Sequence, residues 1–141
     1  MSQPEPGDLR LPILFLDRSV GRVGVAAGLR AAGIEVITLA EHYGMPADER
    51  VSDVEWLMKA GRNGWAALKS DANIRRRDAP ERRALVEAQV RTFVISGQLT
   101  TAAKIERVVA NLDRMARVCH NPGPFVYRIH PEHLQRLQIP R

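Results

Sequence analysis

Residues 13–19 read ILFLDRS, in which four large apolar residues run directly into the carboxylate of Asp17. Such a run is typical of a strand buried on both faces. Ser19 can cap a helix, and the apolar residues that follow recur on one helical face until Gly33 stops it. Residues 34–39 (IEVITL) then have the β-branched pattern of a second strand. A strand, a helix and a strand in succession predict a parallel pair joined by a crossover.

The same alternation continues along the chain after a predicted loop over residues 41–51. The pattern predicts a helix from Ser52, a strand over 65–69, a helix over 80–88, a strand over 91–97, a long helix from Thr100 or Thr101 to about residue 121, and an edge strand over 125–129. Parallel neighbours need crossovers, and these cover the sheet. The sequence therefore predicts an α/β protein with three layers, a mostly parallel sheet with helices on both faces.

One domain is expected, over residues 11–130, because 141 residues that are 45% hydrophobic suffice for one core. It follows a disordered lead-in at 1–10 and precedes a C-terminal tail at 131–141. The chain has no run of about 18 apolar residues and its first residues are polar. We therefore expect no membrane span and no signal peptide, and a cytoplasmic location.

Composition restricts the kinds of site that are expected. Cys119 is the only cysteine, which excludes an internal disulfide and a zinc site built from several cysteines. The chain carries 21 Lys and Arg against 16 Asp and Glu, a net charge of +5, and most of its basic residues are arginine. Arginine suits phosphate oxygens, so nucleic acid is a plausible partner. Charge alone does not distinguish this interpretation from an ordinary solvated surface.

Acidic residues follow two of the predicted strands, at Asp17 and Asp71. In a sheet of this kind ligands bind beyond the carboxyl ends of the strands, which is where both acids are expected. The predicted helix start at 52–55 adds Asp53 and Glu55. Each acid alone can be explained as a helix cap or a turn residue. Together at one edge they repel unless a cation lies among them, so the pattern favours a site for Mg²⁺ or Mn²⁺.

Basic residues come shortly after Asp71, and they are Arg75, Arg76, Arg77, Arg82 and Arg83. One interpretation is a solvated turn with local ion pairs. The other is a clamp that holds a polyanion, so that one phosphodiester meets the acidic edge. Nearness to a predicted metal ligand favours the clamp. His42, in the loop after the second strand, is a weaker candidate for contact with substrate.

Four short motifs carry a resemblance to a known family. They are FLDRS at 15–19, SDVEWL at 52–57, LKSDANIRR at 68–76 and RTFVISG at 91–97. In this order and spacing they resemble the PIN-like ribonuclease superfamily, and within it the compact branch that includes VapC-type toxins of toxin-antitoxin modules. The similarity extends over about residues 12–130.

The resemblance implies a metal-dependent ribonuclease in which Mg²⁺ or Mn²⁺ activates a water that attacks the scissile phosphate. By motif, Asp17 and Asp71 correspond to the first two metal ligands, and Asp53 is the next choice. Glu55 is an alternative to Asp53 or its partner. The position that is acidic in some relatives is Asn73 here, which removes a charge and puts a second metal in doubt. Two hydroxyl groups, those of Ser19 and Ser96, are candidates for orienting a ligand or a water.

Three functions compete at this point. The first is an endoribonuclease that acts as the toxin of a pair with a small antitoxin protein and cleaves RNA. The second is a non-catalytic RNA- or protein-binding module of the same fold, an idea that Asn73 encourages. The third, a phospho-accepting signalling domain, needs an adjacent acidic pair after the first strand, and Arg18 occupies that place. The sequence leaves open the RNA target and whether a homodimer forms.

Overall fold

The strands form one six-stranded sheet in the computed structural model, which describes residues 10–70 and 79–139. The strands are β1 (Leu14–Leu16), β2 (Val36–Thr38), β3 (Ala66–Ser70), β4 (Arg91–Ile95), β5 (Phe125–Ile129) and β6 (Leu134–Leu137). Their order across the sheet is β2-β1-β3-β4-β5-β6. All neighbouring pairs are parallel except β5 and β6, which are antiparallel.

Helices cover both faces of this sheet. They are α1 (Gly24–Ala31), α2 (Leu39–Tyr43), α3 (Asp53–Arg62), α4 (Ala79–Glu87), α5 (Thr101–Ala110) and α6 (Leu112–Val118). Two 3₁₀ turns, the first at Arg18–Val20 and the second at Ala47–Arg50, complete the described elements. Among the described residues, no helix has the length and apolarity that crossing a membrane requires.

The inner strand β1 is buried on both faces of the sheet, which explains why its sequence is a continuous apolar run. Leu14 and Leu16 pack on one face of the sheet with α1, α5 and α6. Phe15 packs on the other face, against Trp56 and Leu57 of α3. All five side chains are 0% exposed. A strand buried on both faces can carry no alternating polar residue, and the predicted three-layer α/β fold is confirmed.

Residues 39–51, most of which were predicted as a loop, contain α2 and the second 3₁₀ turn. A capping box starts α2: the Glu41 main-chain N–H donates to Thr38 Oγ1 at 3.1 Å, and the Thr38 N–H donates to Glu41 Oε1 at 2.9 Å. This reciprocal pair satisfies two free N–H groups of the helix start. The strand prediction for 34–39 is therefore too long, because Leu39 already belongs to the helix.

The long helix predicted from Thr100 is interrupted at Asn111, which separates α5 from α6. Asn111 is 0% exposed. Its Nδ2 donates to the main-chain oxygens of Arg107, at 2.9 Å, and His130, at 2.7 Å. The second bond is to a turn distant in sequence, so the apolar periodicity of the segment could not indicate the interruption.

The predicted tail at 131–141 contains β6, so the sheet continues past residue 130. Ile129 pairs with Leu134 and Val126 pairs with Leu137 in an antiparallel register. Consequently β5 is an inner strand and not the edge strand that the sequence predicted.

Helices α1 and α5 run in the same direction and approach closely at two glycines. Gly24 faces Thr101, and Gly28 faces Ile105 one turn further along both helices. A Cβ added to Gly28 would lie 2.8 Å from Ile105 Cγ1 and closer still to Cδ1. A residue larger than glycine does not fit there unless Ile105 moves.

We expect Gly28→Ala to destabilise the fold by about 1 kcal/mol, because overpacking of about 1–3 kcal/mol exceeds the helix-propensity gain of about 1 kcal/mol. In an Ile105→Ala background the obstruction is gone, and the same change should stabilise by about 1 kcal/mol. Urea unfolding of the four proteins in this cycle measures both values. Stabilisation by Gly28→Ala in both backgrounds would contradict the helix contact described above.

Candidate active site

The candidate site lies where β1 and β3 end side by side. Leu16 pairs with Leu68 in parallel register, and the Asp17 main-chain N–H donates to Leu68 O at 3.0 Å. Asp17 is 8% exposed. The first predicted acid is therefore a largely buried carboxylate at the carboxyl edge of the sheet.

Ser19, a predicted accessory residue, fixes the Asp17 side chain. The Ser19 hydroxyl donates to Asp17 Oδ2 at 2.5 Å, and the Ser19 main-chain N–H approaches the same oxygen at 3.4 Å. The Ser19 oxygen also accepts the main-chain N–H of Ser70 at 3.1 Å. One hydroxyl thus links the acid after β1 to the last residue of β3. Within the described residues, Asp17 Oδ1 has no hydrogen bond.

Asp53 and Glu55, which the sequence left as alternatives, face different neighbours. Trp56 Nε1 donates to Asp53 Oδ1 at 2.8 Å, and Lys69 Nζ lies 3.4 Å from Asp53 Oδ2. Glu55 lies instead beside Tyr43 of α2, where burial and the Glu55 charge raise the pKa of the phenol. Asp53 is therefore the acid of α3 that reaches the end of β3.

The pKa of Asp53 reflects two opposing effects. Burial alone would raise it, since a desolvated carboxylate is less stable than the neutral acid. The hydrogen bond from Trp56 and the positive charge of Lys69 outweigh burial, so that the pKa lies below its usual value of 3.8. Asp53 is a negatively charged group at neutral pH.

Two further residues at this edge were not among the predicted site residues, Lys69 and Glu81. Lys69 is 4% exposed although it belongs to a strand of otherwise small or apolar residues, 66–70 (AALKS). Glu81, in the first turn of α4, shares a hydrogen bond with Asp53. A lysine inside a buried strand is a signal that the sequence did offer, whereas nothing local to Glu81 connects it with Asp53.

An ion pair between a buried aspartate and a partly exposed arginine holds the second 3₁₀ turn against the segment that follows Asp17. Asp48 is 0% exposed, and Arg22 donates to its two oxygens at 3.0 and 3.1 Å. Arg22 also pairs with Glu49 at 3.0 Å, and Arg18 donates to the main-chain oxygen of Asp48 at 3.3 Å. These contacts fix the loop beside the candidate site, and a buried Asp48 was not predicted.

His42 and Ser96 have contacts that do not involve the acids. The His42 ring packs edge-on against Phe15 and Trp65, with centroid distances of 5.6 and 5.7 Å. Within the described residues no contact joins His42 to Asp17, and the predicted role of His42 stays a prediction. The Ser96 hydroxyl oxygen accepts the Gln98 main-chain N–H at 3.3 Å, as expected for a turn after β4.

The remaining predicted residues divide into two groups. Arg82, which is half-buried, and Arg83, which is exposed, lie on α4, the helix that carries Glu81. Outside the described residues lie Asp71, Asn73, Arg75, Arg76 and Arg77. Their predicted roles stay predictions.

The donor types at this edge suit a hard divalent cation, because carboxylate oxygens are the ligands that Mg²⁺ and Mn²⁺ take. Asp17 offers an oxygen without a hydrogen bond in the described part of the chain, and Asp53 is one-third exposed. Residues 10–70 and 79–139 contain no group of three or more His, Cys, Asp or Glu side chains that could hold a metal ion. A full ligand set therefore requires a further group, and the predicted one is Asp71.

A family model described as "PIN like domain" matches residues 12–97, more than half of the chain. The chain belongs to the PIN-like domain family. The resemblance inferred from the four sequence motifs is thereby confirmed. The parallel order of β2, β1, β3 and β4 and the acid after β1 are then features of this PIN-like domain.

A curated relative covers nearly the whole PIN-like domain. It is a protein of Mycobacterium tuberculosis (strain ATCC 25618 / H37Rv) with the name "Putative ribonuclease VapC45". The two sequences are 38% identical over 125 residues, which are 88% of this chain and 90% of the relative. No solved structure gives a significant match.

The pair of Asp53 and Lys69 predicts a dependence of stability on pH. The folded pKa of Asp53 lies below its unfolded value, so the pair adds stability that is present above the unfolded pKa and is lost as pH falls through the folded pKa. Lys69→Met leaves the carboxylate without its counter-ion, and we expect a loss of about 1–3 kcal/mol at pH 7. At pH 3 the loss should be smaller, because the pKa of Asp53 rises when Lys69 is removed and more of the carboxylate is then protonated.

Urea unfolding in metal-free buffer at the two pH values measures this difference. Lys59→Met is the matched control, since Lys59 lies in the last turn of the same helix as Asp53 and has no ion pair among the described residues. An equal loss for Lys69→Met at both pH values would show that the Asp53 charge is not what the lysine stabilises.

Proposed function

We propose that this PIN-like domain is an endoribonuclease that hydrolyses RNA phosphodiesters with Mg²⁺ or Mn²⁺, and that it is the toxin of a toxin-antitoxin pair. Family membership and the name of the mycobacterial relative support a ribonuclease. The observation that carries the proposal is the Asp17 carboxylate, which Ser19 holds at the sheet edge through Oδ2, while Oδ1 has no hydrogen bond from residues 10–70 and 79–139. A buried acid with an available oxygen suits a cation ligand.

The acids and Ser19 have different roles in the proposed reaction. Asp17, Asp53 and the predicted Asp71 would hold the divalent ion. That ion, when bound, supplies an activated water and stabilises the charge that develops on the phosphate. Ser19 fixes the orientation of the Asp17 carboxylate, and the buried surroundings of both strand ends limit the access of bulk water.

Binding of RNA is assigned to the arginines that follow β3. Arg82 and Arg83 lie on α4, and Glu81 of the same helix shares a hydrogen bond with Asp53. An RNA backbone bound along α4 would therefore pass the acidic edge of the sheet. Arginine contacts to phosphates position an RNA without selecting its sequence. We propose the same roles for Arg75, Arg76 and Arg77, and a small antitoxin protein as the partner that blocks this edge.

Asp17→Asn should abolish RNA cleavage. Changes that merely disturb the surroundings of a metal ligand cost about 10- to 100-fold in activity or affinity, so loss of the ligand should cost at least about 100-fold. Cleavage of a labelled RNA by purified protein, with Mg²⁺ or Mn²⁺ and with a chelator, measures this. Asp113→Asn, an exposed acid in the first turn of α6, is the control and should cleave normally.

The second candidate, a non-catalytic RNA- or protein-binding module, predicts the opposite pattern. RNA would then bind in the presence of the chelator, with an affinity that falls as salt rises, and would remain uncut. Asn73, at a position that is acidic in some relatives, is the observation that favours it. Robust cleavage by folded Asp17→Asn protein would remove Asp17 from the reaction.

A further inference from the structure

We propose that an edge pair, Arg30 and Glu41, closes the free edge of the sheet at β2 against the addition of another strand, and that a second copy of this chain pairs with β2 once the edge pair is removed. The proposal does not rest on the ribonuclease activity. It assigns to these two side chains the control of association between copies of the chain.

The first argument is the direction in which the main-chain groups of β2 point. β2 is the first strand in the order of the sheet, so it has β1 on one side and no described strand on the other. Leu14 of β1 lies opposite Val36, and the Leu14 N–H donates to Glu35 O at 3.0 Å. Alternate residues of a parallel strand bond to the same neighbour. Val36 and Thr38 therefore point their N–H and C=O groups away from β1, toward the free edge.

The second argument is that the edge pair occupies these outward groups. Arg30 Nη2 donates to Val36 O at 2.8 Å, and the Thr38 N–H donates to Glu41 Oε1 at 2.9 Å. The same Arg30 nitrogen donates to the same Glu41 oxygen at 2.6 Å, so the two side chains form one unit across the edge. The hydrogen bond from Arg30 holds the pKa of Glu41 below its usual range, which keeps the carboxylate charged at neutral pH.

A groove beside this edge gives room for an added strand. Its volume is about 520 Å³, and Arg30 lines it together with Glu35, Val36 and Ile37. A strand paired with Val36 would lie roughly 5 Å from β2 and would pass along this groove. The side chains of Arg30 and Glu41 are 43% and 47% exposed. The edge pair therefore lies at the surface, where it blocks the approach of another main chain.

The partner that fits the uncovered edge is a second copy of the chain. Val36 points both its N–H and its C=O outward, so two copies related by a two-fold axis can exchange both hydrogen bonds at this residue. Residues 34–39 (IEVITL) contain four β-branched residues and one charged residue. A segment with high strand propensity and low charge pairs readily with another strand when its edge is free. The pairing is short, because the Ile34 N–H already donates to Leu29 O at 3.0 Å.

An edge pair that served only to attach α1 to α2 would have a different signature. Its loss would alter unfolding and would leave the association state unchanged. Exposed ion pairs contribute little to folding stability, so variants that lack the pair should stay folded. The experiment therefore compares the association of folded proteins at equal concentrations.

The test is sedimentation velocity of the purified proteins over a wide range of concentrations. Arg30→Met removes the guanidinium group, and Glu41→Gln removes the charge but keeps a side chain that can cap α2. We expect the double variant to form a species of twice the wild-type mass. Its dissociation constant should be at least about tenfold lower than that of the wild type, because the freed main-chain groups of two copies then bond to each other. Circular dichroism establishes that each variant is folded.

Two further variants serve as controls. Arg30→Lys should keep the wild-type mass, since an ammonium group can still donate both to Val36 O and to Glu41. Arg62→Met removes an exposed arginine from the last turn of α3, away from the edge, and should also keep the wild-type mass. The second control separates the effect of the edge from that of net charge.

Hydrogen exchange followed by NMR identifies the strand through which the copies meet. The Val36 amide points toward the groove, so it should exchange at the same rate at all concentrations of the wild type. In the double variant its exchange should slow as the concentration rises, because the amide then donates to the second copy.

A folded double variant with the wild-type mass at every concentration would overturn the proposal. Association that leaves the Val36 amide unprotected would overturn it as well, since the copies would then meet elsewhere. So would protection of the Val36 amide that rises with concentration in the wild type, because the edge would then be open while the edge pair is present. Arg30→Met and Glu41→Gln as single variants apply the same criteria independently of whether the double variant folds.

Discussion

The parallel pairing of β1 with β3 is the constraint on which the rest of the molecule depends. It brings together two strands that are separated by a crossover of about fifty residues, and it is continued past the end of β1 by the hydrogen bond from Asp17 N to Leu68 O. A slip of β1 by one residue would exchange its two faces and remove Phe15 from its place beside Trp56. The same pairing therefore defines the core and places the carboxylate.

The edge formed in this way is organised by hydrogen bonds and charge more than by shape. One hydroxyl, that of Ser19, joins the acid after β1 to the end of β3, and one ammonium, that of Lys69, joins the end of β3 to the start of α3. The first link joins residues 51 positions apart in the chain, and the second joins residues 16 positions apart. A site assembled from such links is as rigid as the sheet that carries it, which is what precise positioning of a reactive group requires.

Features that depend on a local sequence pattern could be predicted from the sequence alone. Apolar runs and helical stripes predicted the three layers, and the carboxylate after β1 predicted the edge. The sequence was insufficient where a distant partner decides the outcome: Asn111 interrupts a helix because it bonds His130, and Glu81 belongs to the site because it shares a hydrogen bond with Asp53. The missed helix α2 is different, since Thr38 and Glu41 form a capping box that local reading can detect. Polar contacts between residues that are distant in the chain produce no periodic pattern in a single sequence.

The position of β6 determines where the chain can be truncated or fused to another protein. β6 covers the main-chain N–H and C=O groups of β5 that a parallel sheet would otherwise present to solvent. A chain ending near residue 130 would display an uncovered, apolar strand, which is a template for pairing with other molecules and for aggregation. A fusion or tag attached beyond residue 137 leaves this cover in place, whereas truncation near residue 130 removes it.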